Sequence, residues 1–521
     1  MAGTGNRAAS SRRFRVAIIG VGFSGLAAAA ALRKVGIDEI TLFERSPSIG
    51  GTWWENVYPG CEVDTPSHLY SFSFARFDWT RSHPRQPEIL AYLEHVVDHL
   101  GLRPQIRLNT AVASVAWSDR RQVQELTTEA GERLEFEAVI SAVGFFNAPR
   151  VPNWPGRESF TGEIFHSARW PAGTDLRGKA VGVVGTGSTA VQIVAEAAKL
   201  AKSVTVFQRD PNWVVAKNNR ALTEQERARL RIPLFYRLRR LKNFIAYERM
   251  RFGGGYNRPG SEKNARMQEA AVARLRSALA ARPDIIDFVT PNYPFHGKRT
   301  VVSDHYYETL LLPHVSLAPS VVGVAPEGLV DDRGTTHALD VVALATGFEA
   351  ASFLSSLKVT GREGRDLHAA WQGEPAALLG VALPGFPNFF MMYGPNTNGS
   401  PVVYLLESQA EFVAKSLRDL RRSTATATEV DPRVFRWFNS WLQDRLARTT
   451  WATTSNYFKA ASGRIVTQWP FTGTLYWVMS RALRRISMRP AAVPASARAL
   501  EFPRALGFGL FRLLFATRKG P

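Results

Sequence analysis

Apolar residues run almost without interruption from Val16 to Leu32, broken only by Gly20, Gly22, Ser24 and Gly25. The run divides into a short strand, a glycine turn and an Ala-rich helix, and a second apolar strand follows over 40–43, which makes a βαβ opening. The same pattern begins again at Ala180, with an apolar strand, a glycine turn, a helix through Leu200 and a strand over 204–207. Further strand-like segments lie at 138–142 and 340–345, and Pro149, Pro152, Pro155 and Gly156 punctuate a connection between the two units. Over 221–290, Leu, Ile, Phe and Ala recur among Arg and Glu in a helical rhythm. The predicted class is α/β. The predicted organisation is a disordered arm at 1–13, one domain from 14–149 and 380–521, a second from 150–220 and 291–379, and a helical insertion at 221–290.

Composition narrows the chemistry. Cys61 is the single cysteine of 521 residues, so a disulfide framework and a CxxC redox pair are both excluded within one chain. That removes the dithiol flavoprotein reductases and suits a reducing, cytoplasmic setting. The formal charge of +20 reads as a general basic bias with two clusters, one over 227–251 and one after Ser480, and neither sits in a nucleic-acid module. Arg12, Arg13 and Arg15 ahead of the first apolar run imitate a signal peptide, but the glycine spacing inside that run has its own explanation. No stretch is long and apolar enough for a spanning helix.

The first glycine turn reads Gly20-Val21-Gly22-Phe23-Ser24-Gly25. Gly20 permits the tight turn, Gly22 lets backbone approach a pyrophosphate, and Gly25 lets helix and strand pack closely. The second reads Gly185-Thr186-Gly187-Ser188-Thr189-Ala190, with alanine in the third slot. Both turns open helices whose N-termini favour negative charge. Glu44 lies 24 residues past Gly20, and Arg209 lies 24 residues past Gly185. An acid there accepts hydrogen bonds from a ribose 2′-hydroxyl, whereas arginine holds a 2′-phosphate. The two Rossmann-like domains are therefore expected to bind FAD and NADPH respectively. With no dithiol to receive its electrons, reduced flavin is expected to pass them to oxygen.

Residues 160–171 read FTGEIFHSARWP, placing Phe160, Gly162, His166, Trp170 and Pro171 in the pattern FxGxxxHxxxW followed by proline. This resembles the signature of Baeyer–Villiger monooxygenases, class B flavoprotein monooxygenases akin to the flavin-containing monooxygenases. Gly50–Trp54, Tyr58–Gly60 and Asp64 are similar to the family's flavin-lining segment, and 139–156, 340–348 and 393–398 to its crossovers and a late flavin-contacting turn. The resemblance implies flavin contacts from Gly51, Thr52, Trp53, Asp64, Tyr70 and Asn396. It implies oxygen insertion beside a ketone carbonyl through a flavin C4a-peroxide, giving an ester or lactone. In the Lys298-Arg299 pair, Arg299 is the implied stabiliser of anionic oxygen and Asp64 its anchor, while Lys298 assists Arg209 at the 2′-phosphate. His166 is read as a hydrogen-bonded hinge rather than a proton carrier, and no metal site is assigned.

Alternatives stay open at this point: N- or S-oxygenation on the same scaffold, or an uncoupled NADPH oxidase. For single residues, Lys298-Arg299 could be a solvated pair and Asp64 a turn cap. The expected partners are O2 and a small lipophilic ketone. The tail Leu506–Ala516, set between Arg504 and Arg518, could make a weak peripheral membrane contact or pack on the protein itself.

Overall fold

Val16–Ile19 (β1) is fully buried, and the turn after it leads into the helix Phe23–Lys34 (α1) and the strand Ile40–Phe43 (β2). Arg33 and Lys34 in the last turn of α1 complement its negative dipole end. Five parallel strands form the first sheet in the order Phe389–Met391, Ala138–Ser141, β1, β2, Ile106–Arg107. β2 flanks β1 on one side and Ala138–Ser141 on the other, so strand order reverses at the C-terminal end of β1. Open α/β sheets bind ligands in the crevice at such a point.

The second sheet repeats the plan. Glu163–His166 (β3), Ala180–Val184 (β4), the helix Ser188–Ala197 (α2), Ser203–Phe207 (β5) and Val341–Leu344 (β6) join Val315–Ala318 in the order Val315–Ala318, β5, β4, β6, β3, all parallel. β4 and β6 are apolar and almost wholly buried, as expected of strands covered by structure on both faces. The architecture is α/β with two Rossmann-like units.

Residues 221–290 hold the helices Glu224–Arg231, Pro233–Arg251 (α3) and Glu262–Ala278. Near the C-terminus Gly473–Ser487 (α4) packs on Val402–Arg421, which also covers α1. The structure, a computed structural model, describes residues 13–490. The arm expected over 1–13 lies outside the described residues apart from Arg13, which pairs with Glu39 at 2.7 Å; the tail segment Leu506–Ala516 lies outside them altogether. Among the described residues no helix is long and apolar enough to cross a membrane.

Candidate active site

The first glycine turn is held by sterics that only glycine meets. Gly20 has φ +102, and a Cβ on it would sit 2.7 Å from the Ala142 carbonyl oxygen. A Cβ on Gly25 would fall 2.0 Å from the Gly20 carbonyl oxygen, so α1 can rest on the turn only without a side chain there. Glu44, buried at the end of β2, accepts the Val21 N–H at 2.9 Å and the Ser46 N–H at 3.0 Å, one on each oxygen. Each oxygen keeps capacity for a further donor. These residues open onto a cleft with about 1230 Å³ of space free of protein atoms, open solvent at its mouth included. Gly20, Gly22, Ser24 and Glu44 line it from the first βαβ unit, and Gly51, Thr52, Trp53 and Tyr70 from the next segment. The Trp53 indole N–H donates to the Tyr70 hydroxyl at 3.0 Å, which fixes both rings. Asn396 is not among the lining residues: its amide donates to the Ile465 and Gln468 carbonyls, tying two loops together.

At the second turn a Cβ on Gly185, with φ +121, would lie 2.6 Å from the Ala345 carbonyl oxygen, whereas one on Gly187 would meet no atom within 4 Å. Beside it the Ser188 hydroxyl is buried with no hydrogen-bond partner among the described residues. An orphaned hydroxyl and free N–H groups at a helix N-terminus, reachable past a residue without a side chain, are the donor set a pyrophosphate needs. Ala190 is fully buried against the sheet, and the Thr189 hydroxyl bonds the Tyr58 phenol. Tyr58 also donates to the Gln192 side chain at 3.0 Å, and Gly60 lies close to Gln192 and Glu196, so the segment leading to Asp64 is docked on α2.

Arg209 follows β5 with a side chain 76% exposed, and Asp210 beside it gathers two cations. Arg209 Nε lies 3.2 Å from Asp210 Oδ2, and Lys298 Nζ lies 3.0 Å from the same oxygen. Burial alone would raise the Asp210 carboxyl, but Lys298 and Arg209 hold it below the usual carboxylate range. No motif or spacing in the sequence marks this acid.

Arg299 turns the other way from its neighbour Lys298. Its Nη2 meets Asp64 Oδ2 at 2.5 Å, with 39% of the arginine side chain and 27% of the aspartate still accessible. The pair is enclosed by protein yet faces open space, so it is neither a solvated dipeptide nor part of a packed core. Burial pushes the Asp64 carboxyl up; Arg299, by charge and hydrogen bond, and Lys217 outweigh it and leave the carboxyl lowered. Asp64 in turn raises the Arg299 guanidinium against its own desolvation.

Three groups around this pair escaped the sequence reading. The Tyr457 phenol, from the C-terminal segment, hydrogen-bonds Arg299. Tyr247, on the inward face of α3, bonds Thr65 beside Asp64. Lys217 is buried and pairs with Glu62 at 2.6 Å, and its loop is held by Asp304, whose carboxylate accepts the backbone N–H groups of residues 217–219. Burial raises both phenols, so they stay protonated, and the Tyr457 and Tyr247 oxygens accept from Arg299 and Thr65 respectively. No spacing rule marks any of these residues; each meets the site through a segment distant in sequence.

The fingerprint residues build the joint between sheet and crossover. His166 Nε2 donates to the Gly347 carbonyl at 2.9 Å while Nδ1 accepts the Ala168 N–H at 3.1 Å, which uses both ring nitrogens in the neutral form. Burial lowers its pKa further. A Cβ on Gly162 would lie 2.4 Å from the Asp340 carbonyl oxygen, where β3 meets β6. Phe160 packs on the small core behind that edge, Trp170 stands edge-on to Phe165 at 4.9 Å, and the Pro171 carbonyl accepts from Thr174.

Residues 17–231 match the family model described as pyridine nucleotide-disulphide oxidoreductase. A Baeyer–Villiger monooxygenase of Streptomyces coelicolor is 38% identical over 503 residues, spanning 94% of this chain and 95% of that protein. Cyclohexanone monooxygenase from Rhodococcus sp. Phi1, solved bound to NADP+, superposes with a TM-score of 0.81 at 29% identity, covering 90% of this chain and 96% of that one. OTEMO, solved with FAD and NADP, gives 0.81 at 28% identity, covering 91% and 98%. A full-length relative at this identity, on a shared two-cradle fold, decides the matter: the chain belongs to the Baeyer–Villiger monooxygenase family.

Proposed function

We infer that this chain is an FAD- and NADPH-dependent monooxygenase that inserts one oxygen atom of O2 beside a ketone carbonyl, giving an ester or lactone. The observation that carries the reading is the split of adjacent residues, with Lys298 held at the second cradle by Asp210 and Arg299 held by Asp64. Gly20, Gly22 and Ser24 would receive the FAD pyrophosphate at the N-terminus of α1, and Glu44 the adenosine ribose. Gly187 and Ser188 would receive the NADPH pyrophosphate, and Arg209 with Lys298 its 2′-phosphate. When bound, FAD reduced by NADPH supplies the activated oxygen.

The chain's own residues then handle charge. Arg299 presents a fixed guanidinium to the negative oxygen that develops as the ketone carbonyl is attacked. Such preorganised donors act on the transition state without reorganising. Asp64 orients the fork and keeps the buried cation tolerable. Tyr457 and Tyr247 brace the pair from two sides. The fingerprint, through His166 and Gly347, sets how the second sheet meets its crossover and moves no proton.

Mass spectrometry of products from a ketone panel, with NADPH and isotopically labelled oxygen, tests the reading. Esters carrying one labelled atom are expected. Turnover confined to amines or thioethers, or hydrogen peroxide as the sole product, would overturn it. Arg209→Ala should raise KM for NADPH by roughly 10- to 100-fold, the scale of a lost charge-assisted hydrogen bond. KM for NADH and kcat should stay level. Equal losses with both coenzymes in steady-state kinetics would separate Arg209 from the 2′-phosphate.

A further inference from the structure

Helix α3 is amphipathic the wrong way round. Its inward face carries Tyr236, Arg240, Tyr247 and Arg251: Tyr236 is buried, Arg240 donates to the His68 carbonyl at 3.1 Å, and Arg251 donates to the Tyr256 phenol at 2.8 Å. Its outward face carries Leu234, Leu238, Leu241 and Ile245, with Phe252 capping its C-terminal end, all exposed, from 46% at Ile245 to 79% at Phe252. Spacings of three and four residues put the first four on one line along the helix. Single exposed apolar side chains are ordinary, but a continuous line of them marks an interaction surface.

The charges beside that line are of one sign. Arg237, Lys242 and Arg249 have no acidic partner among the described residues. The acids near α3 are already engaged: Glu226 with Arg220 and Arg239, Asp78 with Arg227 and Arg231, and Glu407 with Arg240. Glu248 is spent on the first N–H groups of α4, accepting from Gly473 at 2.8 Å and Thr474 at 3.0 Å. The stripe is therefore bordered by cations that nothing in the described chain neutralises.

Three-and-four spacing also suits a seam with a second helix. In that register Arg237, Lys242 and Arg249 occupy the flanking positions, where a second copy of this chain would oppose like charge with like. An anionic bilayer satisfies both features, taking the apolar line into the headgroup boundary and the cations onto phosphates. We propose that the outward face of α3 docks this protein on an anionic lipid surface. The inference is independent of the reaction assigned above and of the tail beyond residue 490.

The test is co-sedimentation of the flavin-loaded full chain with vesicles of phosphatidylcholine alone or mixed with phosphatidylglycerol. Binding to the mixed vesicles only, weakened by added salt, is expected. The variant Leu238→Ser/Leu241→Ser/Ile245→Ser should lose it, and Arg237→Gln/Lys242→Gln/Arg249→Gln should weaken it by at least about tenfold. Both variants should keep the flavin spectrum and melting temperature of the parent, since neither set of side chains is buried. Absence of binding to anionic vesicles overturns the proposal and points to an acidic protein partner. So does binding that survives both variants and is lost on truncation after Pro503. A vesicle-free mass that halves in the serine variant would instead make the stripe a self-association seam, which also overturns it.

Discussion

Replacing Arg299 by alanine is expected to leave a protein that still binds FAD and is reduced by NADPH but yields almost no ester. The guanidinium is the cation that meets Asp64, and it stays part-exposed near Tyr70 and Tyr393, two residues that line the cleft, rather than sealed in a packed core. Removal of one preorganised donor to a developing oxyanion costs about 10²- to 10³-fold in rate. The loss should be larger here, because Asp64 is left as an enclosed carboxylate without its main counter-charge. Arg299→Lys should recover little, since an ammonium cannot reproduce the planar fork. Anaerobic flavin bleaching followed by absorbance, set beside product yield under oxygen, separates the two half-reactions. Ester formation at the parent rate in Arg299→Ala would remove Arg299 from its assigned role.

The pair also sets an acid limit. Asp64 has a folded-state pKa below its ordinary value, so its contribution is fully present above the unfolded carboxylate pKa. It is lost only as pH falls through the lowered folded value. Across neutral pH the pair should not titrate, and any change in product yield there must come from another group.

The sequence carried the two βαβ units because a parallel strand buried on both faces is an apolar run that a glycine turn must end. It carried the acid–base contrast of Glu44 and Arg209 through an equal count of 24 residues from each glycine turn, but the strands do not end in step. The Gly20 N–H donates to the Phe43 carbonyl and the Gly185 N–H to the Phe207 carbonyl, so Gln208 stands where Glu44 does and Arg209 lies one residue beyond. What it could not carry was assembled by distant contact. Tyr247 reaches Thr65 and Tyr457 reaches Arg299 across long stretches of chain, and Asp210 matters only because Lys298 folds back onto it. Asn396, whose motif suggested a flavin contact, also ties the loop at 465–468 through its amide nitrogen, while its carbonyl oxygen is buried with no partner among the described residues. Helix α3 was legible as a helix and no further. Its periodicity was plain, but periodicity does not say which face is buried, and here the leucines stay outside.

The two glycine turns should respond differently to the same small change. At Gly25 an added methyl would start 2.0 Å from a backbone oxygen in the turn itself, and neither partner is a flexible side chain. Only movement of α1 away from β1 could relieve that contact, and overpacking of this kind costs about 1–3 kcal/mol or more. The displaced helix N-terminus would no longer face the cleft, so Gly25→Ala should purify nearly colourless, with a lowered melting temperature. At Gly187 the backbone φ of −76 suits any residue, and an added methyl meets no atom of the protein within 4 Å. Gly187→Ala should therefore keep parent stability and full flavin content. It should nevertheless raise KM for NADPH on the order of 100-fold, because the methyl projects where a pyrophosphate must approach the Ser188 hydroxyl, and about 3 kcal/mol of lost contact corresponds to that factor. Flavin absorbance, thermal melting and coenzyme kinetics on the two variants form one comparison. A colourless Gly187→Ala, or one with unchanged coenzyme affinity, would mean that the second turn is not the NADPH cradle.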